Sequence, residues 1–155
     1  MAASAARNLV PCILELGGKC PMIIDKSCDL DWAATKASAM AFMNCGQICI
    51  RPDYVLIETS LVNKFIAKLK SKMEKVYKED KDRGKPINQF HHDRCCKLME
   101  DHQGSVVIGN ANANVDKKLL PSVILQPSEE APVMKEEIFG PILPVFTYKT
   151  IDEAI

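Results

Sequence analysis

In Phe42-Met43-Asn44-Cys45-Gly46-Gln47-Ile48-Cys49-Ile50 a helical pattern is broken by a glycine, and a cysteine follows three residues later. Upstream, Leu30, Ala33, Ala34, Ala37, Met40 and Ala41 recur at mostly helical spacing between Asp29 and Met43, and Asp29 or Asp31 stands where an N-cap belongs. Gly46 fits the position just past a helix end. Downstream, Pro52 forbids further helix, and Tyr54-Val55-Leu56-Ile57 is rich in strand formers. Cys49 is therefore expected in a helix-to-strand turn, where a scaffold can present a reactive group.

Working outward, Met22-Ile23-Ile24 reads as a strand before that helix. Cys12-Ile13-Leu14-Glu15-Leu16, broken by Gly17-Gly18, reads as a buried strand ending in a tight turn, which embeds the Glu15 carboxylate among apolar residues. Met1 to Asn8 is an Ala-rich helical piece without a cap, expected to continue something upstream. On the other side, Leu61, Val62, Phe65, Ile66, Leu69, Met73 and Val76 mark an amphipathic helix within Thr59 to Lys78. Lys78 to Pro86 reads as a loop, Phe90 to His102 as a second amphipathic helix closed by Gly104, and Asn110 to Asn114 as a turn-rich loop. Val106 to Ile108, Ser122 to Leu125 and Ile142 to Phe146 read as strands, and Asp152 to Ile155 as the first turn of a helix. Strands alternating with helices imply an α/β fold with a mostly parallel sheet and flanking helices.

Composition narrows the function classes. The 155 residues are 47% hydrophobic and 26% charged, which suits one globular domain, and twenty basic residues balance twenty acidic ones. No electrostatic footprint draws such a chain to nucleic acid or an anionic membrane. Seven cysteines without a paired C-x-x-C point to reduced thiols in a cytosol-like compartment, and finger-type zinc spacing is absent. No apolar run approaches the ~20 residues that a membrane-spanning helix needs.

Leu14-Glu15-Leu16-Gly17-Gly18-Lys19, then Gly46-Gln47-Ile48-Cys49, then Glu137-Ile138-Phe139-Gly140-Pro141 occur in one order. Together they resemble the aldehyde dehydrogenase superfamily. Phe42-Met43-Asn44 and Pro52-Asp53-Tyr54-Val55-Leu56 look most like its class-three and fatty-aldehyde branch, and the likeness runs nearly the whole length. The resemblance implies residues 1–11 as the tail of an upstream cofactor-binding domain and 12–155 as the first part of a catalytic domain. It implies oxidation of an aldehyde, medium- or long-chain in that branch, with hydride passing to NAD or NADP. Homo-oligomers are implied at full length, as is membrane association through a C-terminal tail outside this chain.

The implied roles can be weighed against chemistry. A thiolate is a strong nucleophile and a good later leaving group, and Cys49 matches the family nucleophile. Glu15 matches the carboxylate that activates water for thioester hydrolysis, and its placement on an apolar strand would raise its pKa toward that of a general base. Leu16 and Gly17 match positions beside the nicotinamide, while Glu137 and Phe139 match residues meeting its ribose. Asn44 matches an asparagine that fixes the shape of the nucleophile loop. Two departures stand out: Cys20 follows Gly-Gly-Lys where the family has a small residue, and Arg51, two residues past Cys49, either lowers the thiol pKa or crowds the pocket.

Blander readings stand beside these. Cys12, Cys28, Cys95 and Cys96 read as small buried hydrophobes, and His91 and His92 as surface residues. Cys45, four residues before Cys49, is close enough in a helix for a reversible redox pair. A Cys-His hydrolase or acyl transferase using Cys49, or a non-catalytic scaffold, are the alternative functions. The family's glycine-rich phosphate segment and oxyanion asparagine have no counterpart in the 155 residues, so the chain alone is expected to be catalytically inert.

Overall fold

The computed structural model describes residues 1–77, 84–109 and 119–155. Residues 78–83 of the loop expected over 78–86, and the loop expected at 110–114, lie outside them. A short helix α1 (Ala2–Arg7) precedes an irregular stretch, then strand β1 (Pro21–Ile24), helix α2 (Leu30–Phe42) and strand β2 (Tyr54–Glu58) form a parallel β-α-β crossover unit. Helix α3 (Val62–Val76), helix α4 (Gln89–Leu98), strands β3 (Ser105–Ile108) and β4 (Ser122–Leu125), one-turn helix α5 (Pro132–Lys135), strand β5 (Ile142–Tyr148) and one-turn helix α6 (Ile151–Ala154) follow.

The strands form one sheet in the order β1-β2-β5-β4-β3. Neighbours pair in parallel except β3, which runs antiparallel to β4 at the edge. The mostly parallel sheet read from the sequence is thus present. Parallel pairing needs a crossover between strands, and α2 supplies it between β1 and β2. The order of β2 beside β5 brings Val55 opposite Val145 and joins two segments far apart in sequence. That pairing sets the start of β2, just after the turn that holds Cys49, next to the loop entering β5.

One sheet face is buried by two helices. Ile24, Val55, Ile57, Val123, Leu143 and Val145 pack against Ala33, Ala34, Ala37, Ala41 and Phe42 of α2, with Phe65, Leu69 and Met73 of α3 completing the layer. The alanines let α2 lie close to the sheet, while α3 carries its lysines outward. Asp29, not Asp31, caps α2: its carboxylate accepts from the backbone N–H of Asp31 at 2.9 Å and of Trp32 at 3.2 Å. A second cluster joins Cys95 and Leu98 of α4 to Ile124, Val133, Ile138 and Ile142. Ile138 brings the loop 136–141 into this second cluster and packs it with α4. Among the described residues, no helix is long and apolar enough to cross a membrane.

Three local readings are corrected by the structure. Cys12-Ile13-Leu14-Glu15-Leu16 is not a strand; the stretch is extended without ladder partners, and Ile13 and Leu16 are 89% and 83% exposed. An apolar run becomes a buried strand only where it pairs with a sheet, and β1 is the edge strand with β2 as its sole neighbour, so these residues do not join it. Gly46 does not terminate α2. The helix ends at Phe42, and a 3-10 turn over Met43–Gly46 follows, with Asn44 (φ 51°) and Cys45 (φ 60°) in the left-handed region. His92 is buried rather than on the surface, 3% exposed on the inner side of α4.

Candidate active site

The turn that follows α2 is built to leave the regular structure abruptly. The side-chain amide of Asn44 donates to the carbonyl of Gln47 at 3.2 Å, and that of Gln47 donates back to the carbonyl of Asn44 at 2.9 Å. Asn tolerates the left-handed conformation that the turn imposes, so its expected shape-fixing part agrees with these bonds. Gln47 also ties the turn to the segment before α4, donating to the Lys85 carbonyl and accepting from the Ile87 N–H at 2.9 Å. Gly46 is required for a second reason. With φ at +70°, a Cβ there would stand 2.2 Å from the Gly140 carbonyl oxygen, so backbone meets backbone only because no side chain intervenes.

Beyond this turn, Cys49 reaches a cleft of about 520 Å³ that Glu15, Leu16, Gly17, Glu137 and Phe139 also line. All six residues singled out from the sequence therefore come together at one place. Gly17 has φ +96°, and a Cβ built on it would lie 2.5 Å from Glu137 Oε2, so the glycine is what lets the two segments approach. Glu15 is exposed on its side of the cleft. The desolvation expected of an apolar strand is not found around it in this chain. Glu137 Oε1 is buried and has no hydrogen-bond partner among the described residues, an acceptor facing a cleft that has room for a donor.

The loop carrying Glu137 and Phe139 is held from behind by charges that the sequence reading missed. Lys19 Nζ lies 2.5 Å from Asp53 Oδ2 and donates to the carbonyls of Val133 and Glu136 at 3.0 and 3.1 Å. Asp53 Oδ1 accepts from the Ile138 N–H at 3.1 Å. Arg94 of α4 donates to Glu136 Oε1 at 3.0 Å and to the Ile138 carbonyl. Lys19 and Asp53 lie inside the quoted motifs, and their opposite charges flanking two strand starts were the available signal.

Arg51 answers the question that the sequence left open with neither alternative. It points inward, 1% exposed, donating to the carbonyls of Pro52 (3.0 Å), Ile142 (2.7 Å) and Gly140, with Asp53 Oδ1 at 3.9 Å from Nη1. Burial pushes the guanidinium pKa down, and the neighbouring Asp53 pulls it back up. The side chain is thus a strut between the start of β2 and the start of β5.

His91 was read as a surface residue, yet it lines the cleft beside Cys49, with Phe90 packed edge-on at 5.2 Å between ring centroids. Its Nδ1 is buried and has no hydrogen-bond partner among the described residues, so no hydrogen bond joins that nitrogen to the Cys49 thiol.

The thiols divide sharply by environment. Cys49 and Cys12 are exposed, Cys20, Cys28 and Cys96 are half-buried, and Cys45 and Cys95 are buried; all are free. The small-buried-hydrophobe reading thus holds for Cys95 and fails for Cys12. Burial pushes the Cys45 thiol up to about 12, with Cys95 adding to the effect, so Cys45 carries essentially no thiolate near neutral pH. Iodoacetamide at near-neutral pH is expected to label Cys49 and Cys12 while leaving Cys45 and Cys95 untouched until denaturant is added. Peptide mapping by mass spectrometry reads this, and labelling of Cys45 as fast as Cys49 would contradict the packed turn.

An open, mostly parallel α/β sheet thus brings an exposed thiol and the carboxylates of Glu15 and Glu137 to one cleft. The chain belongs to the aldehyde dehydrogenase family, whose model matches residues 1–155. It is 41% identical to the "Aldehyde dehydrogenase family 3 member A2" of Pongo abelii over 98% of this chain and 32% of that protein. It is 39% identical to the mouse "Aldehyde dehydrogenase, dimeric NADP-preferring" over 99% of this chain and 34% of that protein. Among solved structures it superposes on the Staphylococcus aureus AldH in its substrate-bound state with a TM-score of 0.88 at 32% identity, covering 99% of this chain and 34% of that one. The chain spans about a third of the length of the relatives it matches.

Proposed function

We propose that the protein carrying this segment oxidises an aldehyde to a carboxylic acid, with Cys49 as nucleophile, Glu15 as general base, and NAD or NADP as hydride acceptor. The observation that supports this most is that Cys49, Glu15, Leu16, Gly17, Glu137 and Phe139, quoted from three separate motifs, line a single cleft. The exposed Cys49 thiol is free to attack a carbonyl carbon, forming a thiohemiacetal whose carbon is then a hydride donor. The cofactor, when bound, supplies the hydride acceptor. The residues present fit it: Glu137 offers an unpartnered acceptor to a ribose hydroxyl, and Gly17, having no Cβ, lets that carboxylate lie close against its backbone. After oxidation the acyl group is held on Cys49 as a thioester, and Glu15, across the cleft, takes the proton of the attacking water. One relative is named as NADP-preferring and one neighbour as NAD-dependent, which supports either dinucleotide. The first is also named as dimeric, which supports a homo-oligomer at full length.

Residues 1–11 are proposed as the tail of a cofactor-binding domain and 12–155 as part of the catalytic domain, in keeping with α1 burying none of its residues in this chain. By itself the 155-residue chain is proposed to be inert, because cofactor affinity comes largely from phosphate and adenine contacts and no glycine-rich phosphate turn occurs in its sequence. Incubation with NAD and a medium-chain aldehyde should give no more NADH absorbance than a C49A control.

Glu15→Gln, in a protein of full family length carrying this segment, tests the general-base assignment. Steady-state turnover should fall by roughly 10²–10⁴, the range associated with losing one positioned acid or base, while a single round of acylation survives. Rapid quench and mass spectrometry should then find the acyl group on Cys49. Unchanged turnover across pH would remove Glu15 from the role. A Cys-His hydrolase is the second reading, since His91 shares the cleft, and the unpartnered Nδ1 argues against it.

A further inference from the structure

Beside the cleft stands a second thiol to which the aldehyde chemistry gives no part. Cys20 Sγ lies 3.5 Å from the carbonyl oxygen of Cys49 and 3.9 Å from that of Gly18. It therefore rests against the peptide group of the exposed cysteine itself. The approach is imposed by the sheet: the backbone N–H of Asp53 donates to the Cys20 carbonyl at 2.8 Å, and Pro21 pairs with Tyr54 directly after it. Cys20 is thus anchored at the mouth of β1, while Cys49 sits in an irregular turn outside any helix or strand. Rotation about χ1 of Cys49, an exposed side chain, sweeps its sulfur through the space flanking its own carbonyl.

We propose that Cys20 is the resolving thiol for oxidised Cys49, and that the two form a reversible disulfide when the protein meets a peroxide. The Cys49 thiolate takes one oxygen from hydrogen peroxide as the O–O bond breaks and hydroxide leaves, giving a sulfenic acid. The Cys20 thiolate then attacks that sulfur, the S–S bond forms, and a second hydroxide departs. Two thiols have lost two electrons and two protons, and one peroxide has become two waters. The disulfide holds Cys49 one step short of the irreversible sulfinic acid, and a dithiol returns both cysteines to the reduced state.

Cys45 is the competing partner by sequence spacing, four residues from Cys49. It is a poor candidate in the fold because it is buried in the 3-10 turn, does not line the cleft, and packs near Gly84. A Cys20–Cys49 bridge needs movement only in an exposed turn. A Cys45–Cys49 bridge needs that packed turn to open.

The test uses the 155-residue chain as it is and requires no turnover, so it can fail while the aldehyde reading stands, and the reverse. The parent chain, C20S and C45S are exposed to hydrogen peroxide at a small molar excess, alkylated and digested with trypsin. The expected product from the parent is peptide 20–26 joined to peptide 37–64, which stays whole because Pro52 protects the bond after Arg51. The pair should be lighter by two hydrogens than the sum of the peptides and should separate on dithiothreitol. C20S should lose the joined pair and accumulate sulfinic acid on Cys49, whereas C45S should behave as the parent. Circular dichroism of C20S confirms that an isosteric serine leaves the fold intact. A bridge within peptide 37–64, between Cys45 and Cys49, would overturn the assignment. So would sulfinic acid building up on Cys49 in the parent as fast as in C20S.

Discussion

Cys49→Ala, in a protein of full family length carrying this segment, is expected to lower aldehyde oxidation by roughly 10⁶, the scale on which removing a covalent nucleophile acts. The dissociation constant for NAD should stay within a few-fold. The two readouts part because, in the proposed reaction, the thiol alone forms the adduct that makes the aldehyde carbon a hydride donor, whereas Glu137, Gly17 and Phe139, proposed to face the cofactor, come from other segments. Since Cys49 is exposed, its truncation leaves no buried cavity, so the melting temperature should scarcely move. NADH formation and NAD titration on the same preparation make the comparison. Surviving activity in C49A, with loss in C45A instead, would mean that the wrong thiol has been named; the raised pKa and burial of Cys45 speak against that outcome.

Arg51→Met is the converse case, a large effect on stability with the reacting groups untouched. The substitution keeps an unbranched chain of similar reach but removes every donor, leaving the carbonyls of Gly140 and Ile142 without their guanidinium partner in a buried place. Asp53 keeps Lys19 and the Ile138 N–H, so the loss falls mainly on the junction of β2 with the loop entering β5. Breaking one side of a buried, hydrogen-bonded charge network costs about 3–5 kcal/mol, a large share of the roughly 5–15 kcal/mol by which a domain is stable. Urea unfolding should show a lower midpoint at unchanged slope. Arg51→Lys should fall between parent and Met, since one ammonium cannot reach three carbonyls at once. A shift of the Met variant within the ~0.5 kcal/mol typical of a surface change would show that the strut does not bear on stability.

The two cases differ in how far the sequence foretold them. Cys49 was legible because the signals that place it are its neighbours: the end of an alanine-rich helix, Pro52 and the β-rich Tyr54 to Ile57. Arg51, two residues on, was not, because its partners are carbonyls of residues 140 and 142, brought there by the pairing of β2 with β5. The same holds for Glu15. Its motif was recognisable, yet the inference that it sits in a buried strand failed, since nothing within Cys12 to Leu16 says whether the stretch will pair with the sheet. His92 shows the error in the other direction: polar neighbours suggested a surface, and the second apolar cluster around α4 took it inside.

By itself the sequence determined what short-range periodicity and end signals encode: the alternation of strands and helices, an α2 capped by Asp29 or Asp31, and the amphipathic α3; the six residues that line one cleft were named through their motifs' resemblance to a family. The tertiary structure alone decided that these six meet, that Arg51 turns inward as a strut, that Gly17 and Gly46 are needed for close approach to Glu137 and Gly140, and that Cys20 lies against Cys49. The reason is physical. Helical and strand periodicity is written in residues a few positions apart, whereas burial, strut partners and close approach depend on which distant surface the sheet order delivers, and β2 beside β5 is a choice made by the whole packed core.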